Sequence, residues 1–215
     1  MGALVSALVL NGTTVRQELL APAHAAGLAT AAQAGLSADA DLYRWTFIPR
    51  DENEARAYIE TALAWVRDGT CLPFATVRQS DGLVLGSTRI FNIERWARLT
   101  GEAAPKSAGP DGCEIGYTWL THAAIRTAAN TESKLLMFTH AFEVLGAGRV
   151  CLHTDARNQR SRQAIERAGG HFEGVLRAHR LAADGTPRDS ARFSILASEW
   201  PACKKRLQAM LAAKQ

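Results

Sequence analysis

The most constraining feature of this sequence is a strand–helix–strand–helix unit near its middle. Residues 114–120 are rich in aromatic and β-branched side chains, which favours a short strand. Thr131 can cap a helix that runs to Leu145 and carries an apolar stripe. Residues 150–154 then predict a buried strand, which leads into a second helix. A chain of this order must pack helices against strands, so all-α and all-β folds are excluded.

Hairpin turns separate the other predicted strands. Asn-Gly and Asp-Gly pairs are strong signals for tight turns, and they occur at positions 11, 81 and 184. The strands around them are predicted within residues 4–20, 72–91 and 172–197. Further helices are predicted from Pro22 to about 34, from about 51 to 67, and after Pro201, and residues 97–112 predict a loop. Hairpins combined with crossover helices imply a mixed sheet covered by helices on both faces, an α/β (mixed α+β) class.

Composition limits the kind of protein that this chain can be. Apolar residues make up 47% and charged residues 21% of the 215 residues, a globular balance that excludes a disordered chain. We expect a single domain over residues 1–215. The net charge of +4 suits an anionic ligand such as a nucleotide cofactor. It is too small to argue for direct binding to nucleic acid.

The four cysteines are scattered, without a Cys-x-x-Cys pair or a histidine at metal spacing. We therefore expect free thiols in a reducing compartment and no metal site. No run approaches the ~18 apolar residues that a membrane helix needs. The first residues also lack the positive start of a signal peptide. The expectation is a cytoplasmic protein without a membrane partner.

The segment that joins the central strand to the long helix predicts an anion site. Residues 126–131 bring small side chains and the cation of Arg126 to the start of the helix. Unpaired backbone N–H groups and the helix dipole favour negative charge there, and a pyrophosphate would fit. From spacing alone, an ordinary strand-to-helix turn is an equally good interpretation.

Two further candidates place polar groups at strand ends. Asn158 and Ser161 supply an amide and a hydroxyl at the start of the second helix, among three arginines. A helix cap with solvated arginines is the commoner meaning of such residues. Glu114 is a candidate general base for an amine. The competing interpretation is that Glu114 is an ordinary glutamate exposed to solvent at the end of a strand.

Together these segments resemble a known family over about residues 70–205. The matching segments are Glu114–Leu120, Asn130–Leu136, His140–Glu143, Arg149–Val150, Thr154–Asn158, Ser161, Ala164–Glu166, Gly169, Glu173–Arg177, Arg188–Asp189, Phe193–Ile195 and Glu199–Pro201. They resemble the GNAT acetyltransferases, and within them the Rim-type branch that acetylates ribosomal-protein N-termini.

The resemblance implies a mostly antiparallel, twisted sheet whose central strand splays from its neighbour. Acetyl-CoA, the expected cosubstrate, would lie in that opening, with its pantetheine along the backbone near Trp119 and Leu120. Its pyrophosphate would rest on the loop that matches Arg126, Thr127, Ala128, Ala129, Asn130 and Thr131. The loop departs from the family pattern at Ile125 and Ala128, where a polar residue and a glycine are usual.

The resemblance also suggests chemical roles. Many members of the family protonate the departing thiolate with a tyrosine, and Ile165 stands at that position here. In the Rim-type branch a serine is thought to serve, and Ser161 matches it. Asn158 matches the asparagine that holds the pantetheine arm or an ordered water. Glu114 is the expected base, and backbone N–H groups near Trp119 would polarise the carbonyl.

The expected reaction is direct attack of a primary amine on the thioester in a ternary complex. α-Amines have pKa values of ~7.7–8.0 against ~10.4 for lysine, which favours a protein N-terminus as acceptor. Three alternatives stay open. They are a small-molecule acetyltransferase for an antibiotic, polyamine or amino acid, a non-catalytic CoA-binding interaction module, and a ribosome- or RNA-associated protein. A homodimer is common in the family.

Other residues carry weaker signals. The histidines without metal spacing are interpreted as packing or surface residues: His122, His140, His153 and His179. His122 lies in the expected cofactor loop, so contact with the substrate is its alternative role. Trp45 and Trp96 belong either to the core or to the acceptor pocket. Arg89 and Arg95 either select an acidic acceptor or are solvated.

Overall fold

The computed structural model describes residues 8–96 and 109–214 of the chain. Its strands are β1 (Val9–Asn11), β2 (Val15–Leu19), β3 (Cys71–Arg78), β4 (Val84–Glu94), β5 (Gly112–Leu120), β6 (Arg149–Asp155), β7 (His171–Leu181) and β8 (Pro187–Leu196). Its α-helices are α1 (Ala25–Ala38), α2 (Glu52–Arg67), α3 (Ala129–Thr139), α4 (Gln159–Arg167) and α5 (Trp200–Ala212). Short 3-10 turns cover Pro22–His24 and His122–Ala124, and a π-helical turn, His140–Val144, follows α3.

The strands form one sheet in the order β1-β2-β3-β4-β5-β6-β8-β7. Neighbouring strands are antiparallel except β5 and β6, which run parallel. In the described chain two residue pairs join β5 to β6, Cys113 with Val150 and Glu114 with Cys151. Both strands continue well past these pairs, so they separate. The mixed, mostly antiparallel sheet with a splayed central strand is confirmed.

A bulge in β5 lies just past this short parallel ladder. Tyr117 has φ of 52°, in the left-handed region, and the register with β4 shifts next to Gly116. A bulge changes the direction of the side chains that follow it. It brings the Tyr117 ring against Phe91 and Trp65, with ring centroids 5.0 and 5.6 Å away.

Two apolar clusters cover the two faces of the sheet. On one face α3, its π-helical extension and α5 pack together through Phe138, Phe142 and Trp200. On the other face α1 and α2 pack through residues such as Leu28 and Ile59. Burial of apolar surface is the main favourable term in folding, so these clusters hold the paired ends of the strands together. The helices flank the sheet on both faces, as the sequence predicts.

A buried glutamate ties the first hairpin to α3. Glu132 is 5% exposed and accepts hydrogen bonds of 2.7 to 2.8 Å from the backbone N–H groups of Thr13, Thr14 and Val15. The Thr13 hydroxyl donates to the same carboxylate at 2.8 Å. These donors follow the Asn-Gly turn that the sequence predicts. The hairpin β1–β2 is therefore fixed to the first turn of α3.

Side-chain caps define the starts of two helices. Asp51 accepts a hydrogen bond from the Glu54 N–H at the start of α2. Asn158 accepts one from the Ser161 N–H at the start of α4. Both helices begin where acidic or amide side chains in the sequence indicate a helix N-terminus.

The predicted cap of α3 is wrong. The helix begins at Ala129, two residues before Thr131, because the Thr127 hydroxyl accepts from the Ala129 N–H and sets the turn earlier. The α-helix also ends at Thr139 and continues as a π-helical turn to Val144. The predictions for residues 4–7 and for most of the loop 97–112 fall outside the described residues. No helix in the described ranges has the length and apolar character to span a membrane.

Candidate active site

A cleft of about 620 Å³ opens where β5 and β6 separate. At its narrow end, next to the last paired residues, lie Ile115 and Gly116 of β5 and Leu152 and His153 of β6. Residues at the starts of α3 and α4 line the rest, and the segment 42–46 closes one side. Past residue 114 the edge of β5 has no β6 partner, so its backbone can pair with an extended ligand.

The start of α3 forms one wall of the cleft. Arg126, whose φ of 62° turns the chain into the helix, lines the cleft together with Thr127, Asn130 and Thr131. Ala128 is the N-cap residue and provides no side-chain cap. Ala129 is buried in the core rather than exposed to the cleft. The Thr127 hydroxyl accepts from the Ala129 N–H, and N–H groups left without such a partner at a helix start favour an anion.

Cations line the cleft, and no carboxylate among the described residues accompanies them. They are Arg126, Lys134, Arg160, Arg167, Arg188 and Lys214. Two are held by backbone carbonyls: Arg160 donates to Leu42 O at 2.6 Å, and Lys214 donates to Thr127 O at 2.7 Å. Charges of one sign in a cleft with low-dielectric walls concentrate the field on a ligand of opposite sign. The cleft is therefore built for a polyanion.

Asn158 and Ser161 line the cleft at the start of α4. The Asn158 side-chain oxygen accepts from the Ser161 N–H at 3.0 Å, which leaves its amide NH₂ available to a ligand. Ile165 lines the cleft one turn further along the helix. An apolar side chain has no proton to give, so any acid on this helix must be another residue.

The segment 42–46 covers part of β5. Tyr43 donates its hydroxyl to the backbone carbonyl of Leu120 at 3.0 Å and packs edge-on against Trp119. Trp119 is 3% exposed, and its indole N–H has no hydrogen-bond partner in the described chain. Trp45 lines the cleft and lies 4.5 Å from the Arg157 guanidinium. Trp45 therefore belongs to the site and not to the core.

Lys134 is a site residue that the sequence analysis missed. It is 7% exposed, lines the cleft and donates to the Thr118 hydroxyl at 2.8 Å. Burial lowers its pKa to about 8, because no nearby charge compensates the ammonium. A signal was available: residue 134 shares a helix face with Met137 and Phe138, which are fully buried.

Glu114 lies beside the cleft and not in it. It is 3% exposed and lines a separate polar pocket of about 160 Å³. The Arg180 guanidinium donates to Oε1 of Glu114 at 3.0 Å and to Oε2 at 2.7 Å. The Asn92 side-chain amide donates to Oε2 at 3.1 Å. Burial would raise the pKa of Glu114, but its contacts with His153 and Arg180 outweigh burial and hold the pKa below its ordinary value. The structure thus separates Glu114 from Asn158 and Ser161.

Arg89 is not solvated, contrary to one of its two interpretations. It is 2% exposed, and its guanidinium carbon lies 4.4 Å from the Tyr58 ring, 5.1 Å from Trp65 and 4.5 Å from Tyr117. Cation–π contacts with three rings offset part of the cost of burying this charge. Trp96, by contrast, is 55% exposed and borders the polar pocket.

Comparison with known proteins identifies this arrangement. Residues 18–171 match the family described as the acetyltransferase (GNAT) domain. The chain therefore belongs to the GNAT acetyltransferases, and it is an enzyme that transfers an acetyl group from acetyl-CoA.

Individual relatives support this assignment. YdaF of Bacillus subtilis, provisionally named a ribosomal N-acetyltransferase, is 27% identical over 161 residues, which cover 74% of this chain and 80% of YdaF. A GCN5-related N-acetyltransferase from Brucella melitensis superimposes with a TM-score of 0.79 at 28% identity, covering 97% of this chain and 90% of that one. Mycobacterium smegmatis RimJ, solved with CoA-disulfide, gives a TM-score of 0.74 at 22% identity, with 96% and 92% covered. The likeness to RimJ concerns the fold.

Proposed function

We propose that this chain acetylates the N-terminal α-amine of a protein, with ribosomal proteins as the substrate class. The observation that carries the proposal is the cleft at the splayed strands, lined by six cations and by no carboxylate of the described chain. The name of YdaF supports the ribosomal class. An α-amine is also easier to use at neutral pH than a lysine, because its pKa is ~7.7–8.0.

The cleft suits acetyl-CoA in charge and in shape. The residues proposed to hold the pyrophosphate are Arg126, Thr127, Ala128, Asn130 and Thr131. Ala129, which the sequence analysis included, is buried in the core and its N–H is bonded to the Thr127 hydroxyl, so it is left out. Arg160 and Lys214 add positive charge at the same cleft. Trp119 and Leu120 would hold the pantetheine arm, because the Leu120 carbonyl keeps a second lone pair beside its bond from Tyr43. When bound, acetyl-CoA supplies the activated acetyl group.

Three residues are proposed for the chemistry. Asn158 would orient the bound arm through its free amide NH₂. Ser161, on the same helix turn, would donate a proton toward the leaving sulfur. Glu114, the base expected from the sequence, would supply the negative charge that favours removal of the proton from the amine.

The remaining proposals concern the whole protein. We propose one domain over residues 1–215 that acts in the cytoplasm. Its partners would be acetyl-CoA and the amine acceptor, without a metal, a membrane or direct nucleic-acid contact. A homodimer rests on analogy with the family.

The test combines binding with a choice of acceptors. Calorimetric titration with acetyl-CoA at moderate salt should give saturable one-to-one binding. Peptides copying ribosomal-protein N-termini should then gain one acetyl group on the α-amine, located by mass spectrometry. The matched control is the same peptide with a formylated N-terminus and a free lysine, which should gain none.

Each contrary outcome has a distinct meaning. Transfer to small amines but to no peptide would refute the protein acceptor and leave the acetyltransferase assignment. Transfer to the lysine of the blocked peptide would refute the preference for an α-amine. Absence of acetyl-CoA binding would refute the proposed role of the cleft.

A further inference from the structure

His153 lies in the wall between the two cavities. It lines the large cleft, and it also lines the polar pocket that holds Glu114. Among the described lining residues it is the one that both cavities share. Its side chain is 6% exposed, and neither ring nitrogen has a hydrogen-bond partner in the described chain. Buried polar groups without partners are rare in native proteins, so this ring calls for an explanation.

The position of His153 fits the point of reaction. It lies two residues past Cys151, the last β6 residue paired with β5. Gly116, across the opening, lies two residues past Glu114, the last paired residue of β5. The ring therefore stands at the vertex where the strands begin to separate. A nucleophile that reaches the vertex meets the imidazole before it meets any carboxylate.

Glu114 is placed to act through this ring. The His153 Nδ1 atom lies 3.0 Å from Oε1 of Glu114, an ion-pair distance without the alignment of a hydrogen bond. Arg180 and Asn92 occupy the carboxylate from its other sides. A carboxylate held so firmly in its ionised form is a weak base. It is well suited, however, to orient an imidazole and to stabilise its charged form.

We infer that His153 is the residue that takes the proton from the acceptor amine, and that Glu114 positions it. The inference deepens the proposed function and rests on it. As the amine nitrogen bonds to the acetyl carbon and the carbon–sulfur bond breaks, the proton on nitrogen moves to Nε2 of His153. Ser161 gives its proton to the sulfur, and water then relays the proton from the His153 imidazolium to the Ser161 alkoxide, which returns both residues to their starting forms. The pocket of about 160 Å³ gives water access to the His153–Glu114 pair.

The charges around His153 decide how readily it can accept a proton. The strands around His153 carry the following charged or titratable side chains: Glu114 on β5, Asp155 and the Cys151 thiol on β6, His179 and Arg180 on β7, and Arg188 and Arg192 on β8. The arginines oppose an imidazolium, and Glu114 favours it.

The decisive variant is His153→Gln, which keeps the size of the side chain and removes the base. We expect kcat to fall by ~10²-fold or more, while the acetyl-CoA dissociation constant from calorimetry changes less than about 3-fold. The acid limb of the pH–kcat/KM profile should disappear. His171→Gln is the control, because its side chain is 72% exposed and lines neither the cleft nor the polar pocket. It should keep kcat within about 3-fold of wild type.

A second measurement does not depend on turnover. In the protein without acetyl-CoA and at one fixed pH, the chemical shifts of the His153 ring should differ between Glu114→Gln and wild type, because the carboxylate 3.0 Å from Nδ1 is removed, and those of the His171 ring should not. Unchanged His153 shifts would overturn the positioning role of Glu114. A His153→Gln enzyme with wild-type kcat and pH profile would overturn the inference while leaving the proposed function intact. If the wild type acetylates no acceptor, the proposed function fails, and the inference falls with it.

Discussion

The two cavities that meet at His153 differ in how their charges are compensated. The cleft holds six cations, and no carboxylate of the described chain lines it. The polar pocket next to it is lined by three arginines, but Arg180 is paired with Glu114, and Arg149 and Arg192 are paired with Glu173. Uncompensated charge costs folding energy and is retained where a ligand supplies the counter-charge. The unpaired cations of the cleft therefore favour the proposed anionic ligand, and the arginines of the pocket are already paired within the protein.

The largest expected change in stability comes from breaking the ion pair between Arg180 and Glu114 in the polar pocket. Arg180→Met leaves the Glu114 carboxylate buried without its main partner, and should lower the free energy of unfolding by about 3 kcal/mol at pH 7. Because the pKa of Glu114 is lowered in the folded state, its contribution is present above its ordinary value of 4.5 and is lost as the pH falls below it. The difference between Arg180→Met and wild type should therefore shrink below pH 4.5.

Urea unfolding at pH 7 and at pH 4 measures this difference. The control is Arg56→Met, since Arg56 pairs with Glu52 on the surface of α2, where both side chains are about half exposed. That change should stay below ~0.5 kcal/mol. Equal effects of the two substitutions would mean that the pocket does not depend on compensated charge.

An intermediate effect is expected from removing an uncompensated charge. Lys134→Met should raise the free energy of unfolding by about 1–3 kcal/mol at pH 7, because a buried ammonium is replaced by an apolar chain of similar length. The folded lysine has a pKa of about 8 and the unfolded one of 10.5. Between these values the unfolded chain holds more protons, so wild-type stability rises with pH.

The advantage of Lys134→Met should thus be complete below pH 8 and should vanish by pH 10.5. Denaturant unfolding of both proteins from pH 7 to pH 10 measures this trend. A gain in the free energy of unfolding that does not depend on pH would show that burial does not destabilise the charged form of Lys134. A loss of stability at pH 7 would contradict the prediction directly.

The smallest effect concerns the rim of the cleft. Arg126→Asn removes a cation and keeps a residue type that tolerates the left-handed backbone at this position. We expect acetyl-CoA to bind about 3- to 10-fold more weakly, with stability changed by less than ~0.5 kcal/mol. Calorimetry at two salt concentrations measures it, and the loss should diminish at high salt. Unchanged affinity would exclude Arg126 from the phosphate site.

Local signals in the sequence predicted much of the fold. The Asn-Gly and Asp-Gly turns, the Asp51 region at α2 and the Asn158 cap depend on interactions between residues close in the chain. The start of α3 was misplaced because the Thr127 hydroxyl competes with Thr131 for the same role. Spacing alone gives no means to rank the two. The resemblance to a known family, and not periodicity, indicated the splay of β5.

The candidate site was harder to predict, because its key contacts join distant residues. Nothing near Glu114 in the sequence indicates that Arg180, 66 positions away, donates two hydrogen bonds to its carboxylate. His153 has no metal spacing, so it was interpreted as a packing residue, and its place between two cavities follows only from the separation of β5 and β6. Lys134 was overlooked since a single lysine in a helix is usually solvated. Tertiary packing decides each of these cases.

The carboxylate of Glu132 has a consequence for the order of folding. Its partners Thr13, Thr14 and Val15 lie 117 to 119 positions earlier in the chain. Contacts of such long range close large loops and form late. The helix proposed to present its N–H groups to the pyrophosphate is therefore tied to the amino-terminal hairpin only after that hairpin has docked. Before this step the proposed pyrophosphate site would lack one of its supports, so binding of acetyl-CoA should report the docking of the hairpin.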